Sequence, residues 1–333
     1  MEPLLDRITN EFGVLVNSAT PVHGGQDSSA TIWRAVLTDG SSVAIKASRR
    51  ASQGALLVQR HLVDCGVPGI VTPLLTRSGA PVAVIDEVQV SVQPWITGRR
   101  GVAGGLSEAQ WRTFGELLAK VHAVRLPIEL QEQVPAETYV PVAAESARHL
   151  QQYVPARQDD AADDLIRALI EEWRAASGRI AIVLDAVEKL AAESRQRSIP
   201  GVLCHGDAHI ANVLIDEYQA LWLLDWDTPV IAPPERDLMF VIDGVLADAL
   251  VTAKQQAWFF EGYGRHDVDL ALLAYYRCDW ALQDLTDFAE RVLHPEDWPD
   301  DRREEALHFF RSLFWPTGIV ELALAALRQL DRA

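Results

Sequence analysis

Near residues 94–105 the hydrophobic periodicity of the chain changes, and that change limits the fold more than any other single feature. Before it, short runs rich in β-branched residues are separated by turn signals; after it, apolar residues recur at helical spacing. The intervening stretch holds Pro94, Gly98, Gly101, Gly104 and Gly105 and reads as a linker. Val14–Val22, Ala30–Leu37 and Val43–Ala47 are expected strands, the last two joined across Thr38-Asp39-Gly40-Ser41, where Asp-Gly is a hairpin signal. Residues 52–63 read as one helix, with Gly66 just past its end. Strands near Val71–Leu75 and Pro81–Val92 complete a small antiparallel sheet.

Beyond the linker, Ser107-x-x-Gln110 is a capping box, and Trp111, Phe114, Leu117, Leu118 and Val121 form one apolar stripe behind it. Further helices are expected over residues 159–173, 180–195, 236–247, 269–292 and 302–328. Strands return only around Val202–Cys204, Asn212–Ile215 and Leu221–Leu224. The order implies an α+β chain with an N-terminal lobe over residues 1–93, a linker over 94–105 and a mainly helical lobe over 106–333.

Charge divides along the same line. Of the 30 basic and 47 acidic residues, 7 and 8 lie in residues 1–98, so the net charge of −17 falls almost wholly on the remainder. Phosphate backbones and anionic membranes repel such a chain, so neither nucleic acid nor membrane is an expected partner. Cys65, Cys204 and Cys278 are an odd number without paired spacing, which suggests neither a disulfide framework nor a zinc knuckle. The acidic N-terminus is not that of a secretory leader, and a cytoplasmic setting is expected.

The chemistry is concentrated in Leu203-Cys204-His205-Gly206-Asp207-Ala208-His209-Ile210-Ala211-Asn212 and, further on, Asp225-Trp226-Asp227. A carboxylate on a loop, an amide five residues later and an acid closing a short hairpin can converge on one point. Phosphoryl transfer from Mg-ATP needs such a set: one carboxylate takes the acceptor's proton while an amide oxygen and a second carboxylate hold the metal.

These residues resemble the aminoglycoside phosphotransferase family, small-molecule kinases with a protein-kinase-like fold. Its H-G-D-x-x-x-x-N loop is met by His205, Gly206, Asp207 and Asn212, and its D-x-D by Asp225 and Asp227. The resemblance implies a two-lobed fold: a small antiparallel-sheet lobe with one helix, and a larger helical lobe. It implies Asp207 as catalytic base, His205 as the residue orienting the loop, and Asn212 and Asp225 as Mg²⁺ ligands. Val43-Ala44-Ile45-Lys46 resembles the strand whose lysine reaches the ATP phosphates. Gly24-Gly25-Gln26-Asp27-Ser28-Ser29 would cover the nucleotide, with Gly25, Ser28 and Ser29 offering backbone N–H groups and hydroxyls. Gln93, Trp95 and Ile96 fall where the family receives adenine on backbone groups. One departure stands out: the family pairs the lysine with a helix Glu, and residues 52–63 contain no acid, only Gln53 and Gln59, with Asp64 just outside.

The run from Asp225 through Ala232-Pro233-Pro234-Glu235-Arg236-Asp237 to Phe240 looks most like the spectinomycin phosphotransferase branch, which points to a cationic aminocyclitol or aminoglycoside acceptor. On the expected helix over 269–292, Asp279, Gln283, Asp287 and Glu290 share a face, and Asp279 and Asp287 are the candidate acceptor ligands. Asp227 is grouped with them, with support of the metal shell or bracing of its turn as alternatives. Macrolides, choline, homoserine and methylthioribose are acceptors of related kinases and remain alternatives, as do a nucleotide-binding pseudokinase and a metal-dependent hydrolase built on His205-x-Asp207-x-His209. A monomer is expected.

Overall fold

The computed structural model describes residues 2–22, 30–49, 53–157 and 163–332. The chain groups into two compact units. One comprises Met1–Ala136, Val202–Ile231 and Glu261–Gly264, the other Glu137–Gly201, Ala232–Phe260 and Arg265–Ala333.

The first unit opens with helix α1 (Glu2–Phe12), followed by strands β1 (Val16–Val22), β2 (Ala30–Leu37) and β3 (Ser42–Ser48), helix α2 (Gln53–Asp64), and strands β4 (Ala83–Ile85) and β5 (Val88–Pro94). The strands form an antiparallel sheet in the order β1-β2-β3-β5-β4. Its core joins Ile8 and Phe12 of α1 to Ala35, Val43, Ile45, Ile85, Val90 and Val92. Helix α1 is thus a second helix on this sheet, beyond the one expected. Its apolar residues Leu4, Leu5, Ile8 and Phe12 recur at helical spacing and fall on one side, which is sufficient to dock it. Strand alternation gives β3 two faces. Val43 and Ile45 enter the core, so Ala44 and Lys46 project from the opposite face.

Two expectations in this region need correction. Pro81–Val92 is a hairpin rather than one strand, because Asp86 (φ 50°) and Glu87 (φ 64°) turn the chain in the left-handed region. Val71–Leu75 forms no strand: Pro73 has no N–H to donate, and the segment makes a single ladder-like bond, Leu74 N–H to Val92 O at 2.8 Å.

The linker is also ordered. Gly98–Arg100 forms strand β6, and helices α3 (Glu108–Ala123) and α4 (Ile128–Gln131) follow. The Ser107–Gln110 capping box is present at the start of α3. Strands β7 (Val202–Cys204), β8 (Val213–Asp216) and β9 (Leu221–Leu223) follow, with β6 antiparallel to β8 and β8 to β9, and a further strand, β10 (Val230–Ala232), which lay outside the expected set, pairs with β7. Gly98 allows this approach, since a Cβ there would lie 2.3 Å from the Ile215 carbonyl oxygen.

The second unit is helical: α5 (Val142–Ala156), α6 (Asp164–Ser194), α7 (Glu235–Leu238), α8 (Ala253–Tyr263, whose last turn groups with the first unit), α9 (Leu270–Leu293), α10 (Asp300–Ser312) and α11 (Ile319–Leu330). Trp173 of α6 stacks on Phe310 of α10, both fully buried. The helices expected over 159–173 and 180–195 are one helix, capped by Asp163, and the 302–328 helix is two, separated at Pro316-Thr317-Gly318. The helix expected over 236–247 stops after one turn, and Asp243 and Gly244, both at positive φ, turn the chain shortly after it. Helices α5 and α8 lay outside the expected set. No helix among the described residues is long and apolar enough to cross a membrane.

Gly98→Ala is expected to force β6 off β8 and to lower stability by about 1–3 kcal/mol, read from the midpoint of urea unfolding.

Candidate active site

The site in the first unit is built on the two strand ends that flank its central loop. Strand β7 delivers the chain to His205, which is fully buried. Its Nε2 lies 3.0 Å from the Leu224 carbonyl oxygen, just past β9, and its Nδ1 accepts from the Asp207 N–H at 3.2 Å. A carbonyl can only accept, so the ring carries its proton on Nε2 and bridges the start of the loop to the end of the hairpin. Trp226 packs edge-on against it at 4.5 Å. Both ring nitrogens are therefore engaged, which removes His205 from a ligand set with His209 and disfavours the hydrolase reading. Gly206 makes the turn at φ 85°, where a Cβ would meet the Thr228 carbonyl oxygen at 2.1 Å.

Asp207 and Asn212 are held to each other. The Asn212 Nδ2 donates to Asp207 Oδ2 and to the Asp207 carbonyl, each at 2.9 Å. With its nitrogen engaged, the amide leaves Oδ1 as an acceptor suited to a hard cation. The Leu224 N–H donates to the Asn212 carbonyl at 2.9 Å, so the amide residue is tied to the segment leading to Asp225. Asp225 itself sits at φ 65°, in the left-handed region that aspartate enters more readily than most residues.

His209 belongs to this group although no role was read for it within the kinase motif. Its Nε2 is 3.3 Å from Asp207 Oδ1, and burial, with the neighbouring His205, lowers its pKa to about 4. Neutral, the His209 ring sets no second positive charge beside the Asp207 carboxyl. The signal was available in the sequence only as proximity to Asp207.

Lys46 reaches the same acids. Its ammonium pairs with Asp227 Oδ2, and Asp225 Oδ1 lies 3.8 Å away. Lys46, Asp207, Asn212, Asp225 and Asp227 all belong to the first unit, so the expected phosphate lysine, base and metal ligands occur together there. Gln59, the buried amide of α2, accepts from Gln93 Nε2 at 3.3 Å. The Trp95 N–H donates to the Ser42 carbonyl at 3.0 Å, continuing the β3–β5 pairing, and the Arg34 guanidinium lies over its ring at 5.4 Å. Ile96, which follows, is half-buried. Gly25, Ser28 and Ser29 lie outside the described residues.

The second unit holds Asp279 and Asp287 on α9, where they differ in environment. Asp279 is half-buried; Gln283 donates to its Oδ2 at 2.7 Å, while its buried Oδ1 has no hydrogen-bond partner. Burial raises its pKa to about 6, against the downward pull of Arg236. That guanidinium lies 5.2 Å from the centre of the Trp280 ring. Asp287 is exposed and pairs with Arg291 at 2.6 Å. Its charge is already answered within the helix, and Asp279 is the better placed to take a cation. Tyr139 and Tyr276 are buried, as core aromatics. Glu235 of α7 is buried as well, accepting from His266 at 2.9 Å and from the Asp269 N–H at the start of α9 at 3.0 Å.

A family model described as the phosphotransferase enzyme family matches residues 18–270. Among solved structures, that of spectinomycin phosphotransferase, APH(9)-Ia, in complex with ADP and spectinomycin is 28% identical, with 98% of each chain covered and a TM-score of 0.87. The AMP-bound complex of spectinomycin phosphotransferase APH(9)-Ia is 27% identical over 97% of this chain and 98% of that chain, with a TM-score of 0.82. An aminoglycoside phosphotransferase from Alicyclobacillus acidocaldarius subsp. acidocaldarius DSM 446, at 18% identity, 98% and 96% coverage and a TM-score of 0.57, shares the fold. No curated protein matches the chain.

A carboxyl whose pKa rises on folding holds its proton more tightly in the native chain. The stability it contributes is complete below the unfolded value of 3.8 and is lost as pH climbs through about 6. Asp279→Asn is therefore expected to melt at a higher temperature than wild type at about pH 7.5 and to lose that advantage toward about pH 4, measured by scanning calorimetry across the range.

Proposed function

The chain belongs to the phosphotransferase enzyme family, with a protein-kinase-like α+β fold, and is an enzyme that phosphorylates an alcohol group; from that premise we propose that it moves the γ-phosphate of ATP to a hydroxyl of a spectinomycin-like aminocyclitol or aminoglycoside. The observation that carries the chemical part is the grouping of Lys46 with Asp225 and Asp227, and of Asp207 with Asn212, in one unit built around His205. The acceptor class is supported by the 28% identity to a spectinomycin phosphotransferase over 98% of both chains and by the unpartnered Oδ1 of the half-buried Asp279.

In this reading Asp207 accepts the proton of the attacking hydroxyl. Its Oδ2 is fixed by Asn212, and Oδ1 faces the neutral His209, so the base is oriented before the acceptor arrives. His205 does not touch substrate; it holds the loop to the hairpin. The oxygen-only pair of Asn212 Oδ1 and the Asp225 carboxylate suits Mg²⁺, which when bound would neutralise charge on the phosphates. Lys46 supplies the cation for the α- and β-phosphates, while Gly25, Ser28 and Ser29 cover them and Gln93, Trp95 and Ile96 border the adenine. Residues 1–93, 94–105 and 106–333 then serve as nucleotide lobe, hinge and acceptor lobe, and the need for ATP favours a cytoplasmic setting. On the acceptor side, Asp279 receives an ammonium group of the substrate, and Asp287 adds exposed negative charge.

The test is ATP consumption by the purified protein over a panel of spectinomycin, other aminoglycosides, a macrolide, choline and homoserine. Turnover is expected on an aminocyclitol or aminoglycoside and to fall by roughly 10²–10⁴-fold in Asp207→Asn. Full activity in that variant would remove Asp207 as base, and turnover confined to neutral acceptors would remove the cationic-acceptor reading.

A further inference from the structure

Taking Lys46 as the phosphate-binding lysine, as in the reading above, we propose that Asp227 is the positioning residue for its ammonium, in the place that a helix glutamate fills in kinases of this fold. A lysine ammonium rides on a flexible four-carbon stem, so its reach to a phosphate is defined only if an opposite charge holds it. Helix α2 does not provide that charge from its buried side. Its one acid, Asp64, is exposed at the last residue and lines an open groove with Leu57, Arg60, His61 and Glu129. The register of β3 and β5 sets Lys46 opposite Ser91 and Ala44 opposite Gln93, so Lys46 and Gln93 project from the same face of the sheet. On that face Gln59 of α2 accepts from Gln93.

The anion comes instead from the turn after β9. Asp225 and Asp227 both approach Lys46, and Asp227 makes the closer pair. Between them Trp226 is buried, donates from Nε1 to the Leu223 carbonyl at 3.0 Å and packs against His205, so the two acids extend from a locked residue. With Asp227 engaged by the lysine, Asp225 keeps its carboxylate for a cation. The two acids of the D-x-D divide the work: one holds the lysine, the other the metal. The ring that fixes the catalytic loop also fixes the lysine's counter-charge.

The test uses an acyl phosphate of ATP, whose acyl carbon is bonded through oxygen to the γ-phosphorus; a lysine amine at the phosphates attacks that carbon, an amide forms, the C–O bond breaks and ATP leaves. The full-length wild type, Asp227→Asn, Asp227→Glu and Asp225→Asn are compared by mass spectrometry for the rate of acylation at Lys46. Wild type is expected to be labelled there and protected by ATP, Asp227→Asn to react on the order of 10-fold more slowly, and Asp227→Glu to recover most of the rate. In turnover, Asp227→Asn is expected to lower kcat with an unchanged acceptor KM and an unchanged Mg²⁺ requirement, whereas Asp225→Asn raises that requirement. Wild-type labelling in a folded Asp227→Asn protein overturns the inference while leaving Lys46 at the phosphates. So does a loss that excess Mg²⁺ repairs, which would make Asp227 a metal ligand. Absence of labelling at Lys46 in wild type overturns the inference together with the nucleotide reading on which it stands.

Discussion

The buried imidazole of His205 is the constraint on which the site depends. It accepts from the backbone of Asp207 on one side and donates to the carbonyl of Leu224 on the other. Removing this ring would leave the Asp207 N–H and the Leu224 C=O without these partners in the connection between Asp207 and Asp225. The remaining contacts follow from that bridge. Asn212 can clasp Asp207 because both lie on a loop closed by the ring, and Asp225 can adopt a left-handed backbone because Leu224 is held on both its N–H and C=O sides. A charged group needs such support: preorganised anions within one loop repel one another, and only a closed backbone with a nearby cation keeps them together.

Lys46 is that cation, and it comes from a different part of the chain. Strand alternation in β3 sends Val43 and Ile45 into the core and Lys46 to the other face, so its presence among the acids is a consequence of packing on α1 as much as of the site itself. The long-range pairing between residue 46 and residues 225 and 227 joins the N-terminal sheet to the segment that follows β9. Strand β6 makes a second such connection, where the segment read as a linker pairs with β8.

Much of this was legible from sequence because the signals were local. The Asp-Gly hairpin and the Ser107–Gln110 capping box occur where their residues direct, and β7, β8 and β9 fall within a residue or two of expectation. Each is specified by neighbours in the chain: a turn that tolerates positive φ, a hydroxyl that meets an N–H three residues on, a short β-branched run. The failures have equally definite causes. Gly178 interrupts the helical pattern of α6 but costs only about 1 kcal/mol, and buried Ile180, Val183 and Leu184 carry the helix through it. Val71–Leu75 has the composition of a strand, but Pro73 removes a donor and no ladder forms.

The order and type of most elements, the family, and the choice of Asp207, Asn212, Asp225 and Lys46 as the candidate site residues came from the sequence alone, since short motifs and periodicity record local geometry. The tertiary structure decided which acid answers Lys46 and that His209 stands beside Asp207. It also decided that Asp279 is half-buried with a buried, unpaired oxygen while Asp287, two turns along the same helix face, is spent on Arg291. These are matters of burial and of pairing between distant positions, and a helical or strand period cannot express them: residues of the same type and spacing acquire different protonation and partners only when the rest of the chain packs around them.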